Sequence, residues 1–266
     1  MNNIISKDGT SIAFDRYGSG PAVIMVTGAL GYRAFPAQTQ MADLLSDRFT
    51  VFNYDRRGRG DSGDTMPYAV EREIEDIAAL IEAAGGSAFL YGMSSGAILS
   101  LEAAEKLAGK IPKLALYEPP LILDGSRPPL PRDYVERIGE AVEAGRREQA
   151  LEIFMTQALL IPDEYLAPMK ESPIWSDLLA VAHTLAYDGM VSRDVMAGRP
   201  LPPGKWAGVT SDTFVVSGEL SEPFFHDAAK TLVHRLARAK HQVLAGQGHD
   251  VAPEALAPLL IEFFGG

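Results

Sequence analysis

The run Gly92-Met93-Ser94-Ser95-Gly96 constrains this chain more than any other five residues. It closes an apolar stretch, Ala88-Phe89-Leu90-Tyr91, and opens a helix-like run, Ala97-Ile98-Leu99-Ser100-Leu101. Strand, sharp turn and helix in that order make a nucleophile elbow, in which the serine backbone is strained and its hydroxyl exposed. Glycines two before and two after the serine remove the Cβ atoms that would block the helix and the neighbouring strands from passing closely. The Gly-x-Ser-x-Gly pattern is common by chance, and its strand–helix setting is what gives it weight.

The rest of the chain supplies a fold for such an elbow. Ile4-Ile5 and Ser11 to Phe14 flank the turn signal Lys7-Asp8-Gly9-Thr10 and read as a hairpin. Ala22 to Val26, Phe49 to Tyr54 and Lys113 to Tyr117 are near-continuous apolar runs, as expected of strands buried on both faces. Between them, Ile74, Ile77, Ala78 and Ile81 form one helical stripe within Glu73 to Ala84. Glu118-Pro119-Pro120 stops the strand that follows the elbow helix. From about Leu121 to Val209 the chain is proline-punctuated and helix-like, with Tyr134 to Ala144, Glu148 to Leu160 and Ile174 to Tyr187 as its main segments. Alternation resumes at Thr213 to Val216, continues through a helix around Asp227 to Leu236 and the strand Gln242 to Leu244, and closes on an amphipathic helix marked by Leu256, Leu259, Leu260 and Phe263. The expectation is an α/β fold with a mostly parallel sheet flanked by helices. Residues 1–120 and 210–266 would form the core, and 121–209 a helical cap inserted after the strand that follows the elbow.

Composition narrows the function. A chain of 266 residues can bury one large core with a small accessory subdomain. A net charge of −11 without a basic run argues against nucleic acid and anionic membrane surfaces as partners. The absence of cysteine removes disulfides, thiolate catalysis and Cys-ligated metal sites. Met1 to Asp8 lacks the basic start and apolar stretch of a secretory signal, so a cytoplasmic location is expected. A small-molecule substrate is the expected partner, and homo-oligomerisation stays open.

Three further motifs give the chain its resemblance to the α/β-hydrolases, over nearly its whole length. Asp55-Arg56-Arg57-Gly58-Arg59-Gly60-Asp61-Ser62 resembles the family's Asp-x-Arg-Gly-x-Gly-x-Ser loop, and reads as structural, its glycines and charges pinning the loops beneath the active site. Thr27-Gly28-Ala29 stands where many members carry His-Gly-x, and Gly246-Gln247-Gly248-His249 matches the late Gly-x-Gly-His motif. The resemblance implies Ser94 as nucleophile, His249 as base, and the amides of Ala29 and Ser95 as oxyanion hole. A serine hydroxyl is a weak nucleophile without such a base, and the hole needs amides rather than particular side chains. His183, His226, His234 and His241 fall in or near helices and read as solvated or structural. No cofactor and no metal is implied.

The acid departs from the common family pattern, an aspartate in Gly-x-x-Asp after the post-cap strand. Here that stretch is Gly218-Glu219-Leu220-Ser221, and a serine cannot supply the charge that orients an imidazolium. Glu118 is the chosen acid, because some α/β-hydrolases, a group of haloalkane dehalogenases and the zearalenone-type lactonases among them, place theirs at the end of the strand after the elbow. The lactonases are also similar in their Ser-Ser-Gly elbow and in a helix start like Phe224-Phe225-His226-Asp227. Glu222, Glu219 and a dyad without an acid stay open. Phe35, Met93, Trp175 and His183 are expected to line the pocket. The expected activity is cofactor-free hydrolysis of a largely apolar ester or lactone. Alternatives are a carbon–carbon bond hydrolase, a perhydrolase of the haloperoxidase type, and a ligand-binding member without turnover.

Overall fold

The computed structural model describes all residues from Met1 to Gly266. Its eight-stranded sheet begins with a hairpin, β1 (Asn2–Ile5) and β2 (Ser11–Tyr17), paired antiparallel with Ile4 opposite Ile12. β3 (Ala22–Val26), helix α1 (Pro36–Ser46), β4 (Thr50–Tyr54) and α2 (Val70–Ala83) follow. Next come β5 (Phe89–Met93), α3 (Ser95–Lys106) and β6 (Lys113–Tyr117). The strand order is β1-β2-β4-β3-β5-β6-β7-β8, parallel from β4 to β8. The elbow strand β5 is therefore central, its C-terminal end flanked by those of β3 and β6, with β7 on the far side of β6. In an open α/β sheet this is the edge along which loops gather into a site.

A helical block separates β6 from β7 (Asp212–Gly218). It comprises α4 (Tyr134–Glu143), α5 (Arg147–Ile153), a π-helical turn over Phe154–Ala158, α6 (Asp163–Lys170), α7 (Ile174–Val181), a 3₁₀ turn over Ala182–Thr184 and α8 (Leu185–Ser192). The chain ends with α9 (Pro223–Arg235), β8 (Ala239–Leu244) and α10 (Pro253–Gly265). No helix is long and apolar enough to cross a membrane.

Each face of the sheet buries its own core. On one side Ile24, Leu90 and Leu114 meet Ile77, Leu80, Ile98 and Leu232 of α2, α3 and α9. On the other Val23, Tyr91 and Ala115 meet Leu45 of α1 and Leu256 and Leu260 of α10. A third cluster, with Ile138, Leu151, Phe154, Trp175 and Leu185, lies within the helical block. The block is not separate throughout. Val191, Val195, Met196 and Trp206 belong to the first cluster, so its last residues are packed with the sheet.

The two elbow glycines are required by close approach. A Cβ on Gly96 would lie 2.3 Å from the Val26 carbonyl oxygen and 2.5 Å from that of Thr27, and one on Gly92 would lie 2.6 Å from the Gly96 carbonyl oxygen. These obstacles are backbone and cannot rotate away. Gly96→Ala is expected to cost about 3 kcal/mol or more, at the upper end of overpacking effects. Urea denaturation measures it, and an unchanged midpoint would contradict this packing.

Candidate active site

Ser94 joins β5 to α3 with φ 53° and ψ −126°, a conformation that a side chain bearing a Cβ adopts only under constraint. The constraint is visible: the Ser94 amide donates to the Tyr117 carbonyl (2.9 Å), and α3 starts at once on the other side. Leu30 and Glu118 also take positive φ, 61° and 48°. Three of the five non-glycine residues with positive φ thus lie at or just beyond the ends of β3, β5 and β6; the other two, Leu160 and Trp206, fall between β6 and β7.

The turn at Glu118 swings its side chain beneath the last loop of the fold. The residue is fully buried. Its Oε1 accepts from the Gly218 amide (2.7 Å), and its Oε2 lies 2.7 Å from His249 Nδ1. His249 sits between β8 and α10. Its ring stacks on Phe225 (centroids 4.8 Å apart, planes at 13°), and the preceding carbonyl, that of Gly248, accepts from the Tyr117 hydroxyl at 2.5 Å. The other two carboxylates weighed for this position are engaged elsewhere. Glu219 is exposed and accepts from the Gly246 amide (2.9 Å), and Glu222 accepts from Arg127 Nε (3.0 Å). Ser221, at the aspartate position of the common pattern, has a buried hydroxyl with no partner.

Ser94, Ser95, Ala29 and His249 all open on one cavity of about 280 Å³, near the small end of ligand sites. Ser95 is the first residue of α3, where the helix leaves its N–H groups without intrahelical acceptors, and Ala29 lies in the turn after β3. The remaining wall includes Leu130, Tyr134, Phe154, Leu159 and Met196 from the helical block and its flanks, and Phe224 and Phe225 from α9.

None of the four residues expected to line the pocket from the sequence lies on this cavity. Trp175 is buried in the helical block's own core, because the apolar face of α7 turns inward there. Met93 follows the two-residue alternation of β5 and shares with Tyr91 the face turned to α1 and α10. Phe35 precedes α1 and packs edge-on against Tyr32, centroids 5.7 Å apart. His183 occupies the 3₁₀ turn before α8, where burial and then Arg147 push its pKa down.

Two charged wall residues went unread in the sequence. Arg127 stands in a proline-flanked loop that carries no periodic signal. Its guanidinium pairs with Glu222, donates to the Ala158 carbonyl (3.0 Å) and lies 4.6 Å from the centre of the Phe224 ring. Asp188 did leave a signal, an acid within the otherwise apolar Leu185 to Val191. Its Oδ1 accepts from Arg56 Nη1 (2.7 Å) and the Ser95 hydroxyl (2.8 Å), and its Oδ2 from Arg59 Nη2 (2.6 Å). Arg56 also makes a two-pronged pair with Glu73, both contacts at 2.6 Å. Two guanidinium groups thus face two carboxylates, all four buried.

Burial opposes the charged forms of Asp188 and Glu73, but the neighbouring arginines outweigh it and hold both carboxyls below their ordinary range. A carboxyl depressed in the folded state contributes stability above its unfolded pKa, about 4, and that contribution is lost as pH falls toward the folded value. Urea midpoints are therefore expected to hold from pH 7 to about 5 and to drop on titration below about pH 4. Asp188→Asn should lower the midpoint at pH 7 and shrink the acid drop; an equal acid drop in the variant would contradict this account.

Comparison with known proteins agrees with the architecture. Residues 23–259 match the model of the alpha/beta hydrolase family. The chain belongs to that family. A crystal structure of an alpha/beta hydrolase from Sphaerobacter thermophilus DSM 20745 is 48% identical, covers 99% of this chain and 100% of its own, and superposes with a TM-score of 0.90. A hydrolase from Pseudomonas aeruginosa PA01 is 22% identical over 100% of this chain and 98% of its own, with a TM-score of 0.76. The uncharacterized hydrolase YraK of Bacillus subtilis (strain 168) is 28% identical over 125 residues, 46% of this alpha/beta hydrolase and 45% of YraK. The curated relatives are thus matched over less than half of their length. Structures 18–20% identical include an esterase, an enol-lactonase and a 2-hydroxy-6-oxo-6-phenylhexa-2,4-dienoate hydrolase, a likeness that speaks for the fold alone.

Proposed function

We propose that this alpha/beta hydrolase cleaves a carboxylic ester or lactone of a small, uncharged molecule, with Ser94, His249 and Glu118 as its triad. The observation that carries the reading is the contact of the buried Glu118 carboxylate with His249 Nδ1, on the same cavity as Ser94. A carboxylate on Nδ1 keeps the proton there and leaves Nε2 free to act as base. Ser94 Oγ attacks the carbonyl carbon while Nε2 takes the hydroxyl proton. The oxyanion that forms is received by the Ala29 and Ser95 amides. The Nε2 proton passes to the leaving oxygen as the ester bond breaks. Water, deprotonated by the same nitrogen, then releases the acid and restores Ser94. The acid placement at the end of β6, similar to that of the lactonases, adds a lean toward lactones.

The cavity favours an uncharged substrate. Its exposed surface is mostly apolar, three carboxylates, Asp188, Glu222 and Asp250, stand in its wall, and its one arginine is paired with Glu222, with the buried Nη1 left without a protein partner. A panel of p-nitrophenyl esters, γ- and δ-lactones and 1,3-diketones tests the assignment. Short esters or lactones without a carboxylate are expected to be the best substrates. Cleavage confined to the diketones would instead make the protein a carbon–carbon bond hydrolase using the same residues.

A further inference from the structure

The carboxylate of Asp188 belongs to the helical block, yet it reaches both turns that carry the amides of the oxyanion hole. On one side it accepts the Ser95 hydroxyl directly. On the other it holds Arg56 and Arg59, whose remaining N–H groups grip the turn containing Ala29. Arg59 Nη1 donates to the Gly28 and Gly31 carbonyls (2.6 and 3.0 Å), and Arg56 Nη1 to that of Thr27 (3.2 Å). Three carbonyls of this turn are thereby tied down around Ala29, the one residue of the turn that lines the cavity. Arg59 Nε also donates to Thr184 (3.0 Å), so the guanidinium is seated on the helical block at two points.

We infer that Asp188 is a positioning residue for catalysis, fixing from the helical block the two amides that receive the oxyanion, so that the hole is complete only while α8 is seated. The inference rests on the serine-hydrolase reading above. A purely structural ion-pair cluster would need no bond to Ser95, since the two arginines are already balanced by Glu73 and Asp188. That bond instead ties the residue next to the nucleophile to the block that roofs it. A shift of α8, whether by a substrate pressing on Gly189 and Ser192 in the cavity wall or by mutation, therefore acts on transition-state stabilisation rather than on substrate binding alone.

The test measures the rate of Ser94 labelling by a fluorophosphonate probe, and kcat and KM for p-nitrophenyl butyrate, in Ser95→Ala, Asp188→Asn and Phe264→Leu. Ser95→Ala keeps the backbone amide and removes only the tether. It is expected to slow labelling and lower kcat about 10-fold with KM nearly unchanged, less than the loss of a whole donor from the hole. Asp188→Asn is expected to lose about 100-fold, because it weakens both turns together. Phe264→Leu loosens the core on the opposite face of the sheet, where Phe264 packs against Phe49 and Phe89, and is expected to lower the melting temperature at wild-type labelling rate. Wild-type labelling of Ser95→Ala would overturn the inference, and so would an equal loss in Phe264→Leu, which would mark general loosening. If Asp188→Asn does not fold, Ser95→Ala decides alone. No labelling of Ser94 in the wild type would instead remove the serine-hydrolase reading, and this inference with it.

Discussion

Replacing Ser94 by alanine is expected to lower kcat by a factor on the order of 10⁶ while leaving the fold intact, the scale set by removing the nucleophile from a serine triad. The variant keeps the backbone that shapes the elbow, since the restraints on residue 94 are its own amide on Tyr117 and the start of α3 rather than its hydroxyl. Alanine carries the same Cβ and meets the same φ penalty, so stability should move by less than about 1 kcal/mol. Loss of turnover without loss of melting temperature is the expected pair of results. Retention of more than about a tenth of the wild-type kcat would be incompatible with covalent catalysis at this position.

Replacing Glu118 by glutamine is expected to cost about 10⁴-fold in kcat, as when the acid of a triad is made neutral. The geometry explains why so small a change would matter. Both carboxylate oxygens accept, one from the Gly218 amide and one from His249 Nδ1. An amide offers one oxygen and one NH₂, so one of the two donors must face another donor, or the histidine must carry its proton on the wrong nitrogen. The first outcome also costs about 1–3 kcal/mol of stability, because the site is closed to water. The second leaves Nε2 protonated and unable to accept from Ser94. Glu219→Gln, at an exposed residue that only accepts from Gly246, is expected to stay within about threefold of wild type. Pre-steady-state acylation with p-nitrophenyl butyrate separates the two, and equal mild losses in both would remove Glu118 from the mechanism.

Those two residues also show how far the sequence carries. The elbow was legible because it is local: glycine spacing and an adjacent apolar run specify the turn without reference to the rest of the fold. The succession of strands along the chain and the break after β6 were legible for a similar reason, since buried parallel strands have few ways to be written. Helix α1 was not, because its first residues, Pro36 to Gln40, carry no apolar stripe and only Met41, Ala42 and Leu45 are buried. Helix α6 was hidden by Pro168 and by the absence of any buried residue. Glu118 could be reached by elimination and resemblance, but its contact with His249 depends on a left-handed turn that no residue type announces.

The cavity wall was the least legible part. A side chain lines a cavity through tertiary packing, and Trp175, the residue with the greatest appetite for burial in the helical block, satisfies it inside the block. Asp188 was overlooked for the opposite reason. An acid in an apolar helix reads as an interruption, whereas here it is the point at which Arg56, Arg59 and Ser95 converge. The Asp55 to Ser62 loop shows the same interdependence. Arg56 and Arg59 hold the turn after β3, Arg57 pairs with Asp76 and Asp8, and Asp55 accepts from Arg33 and Asp61. Its charges act on the site through backbone they hold in place.

The central claim is that turnover passes through an ester on Ser94. Quenching the reaction with p-nitrophenyl butyrate in acid during the first turnovers, followed by peptide mass spectrometry, tests it most directly. The account expects one butyryl group per protein on the peptide containing Ser94, absent from Ser94→Ala and accumulating more slowly in Glu118→Gln. Steady hydrolysis by the wild type with no acyl group on Ser94 at any quench time would contradict it.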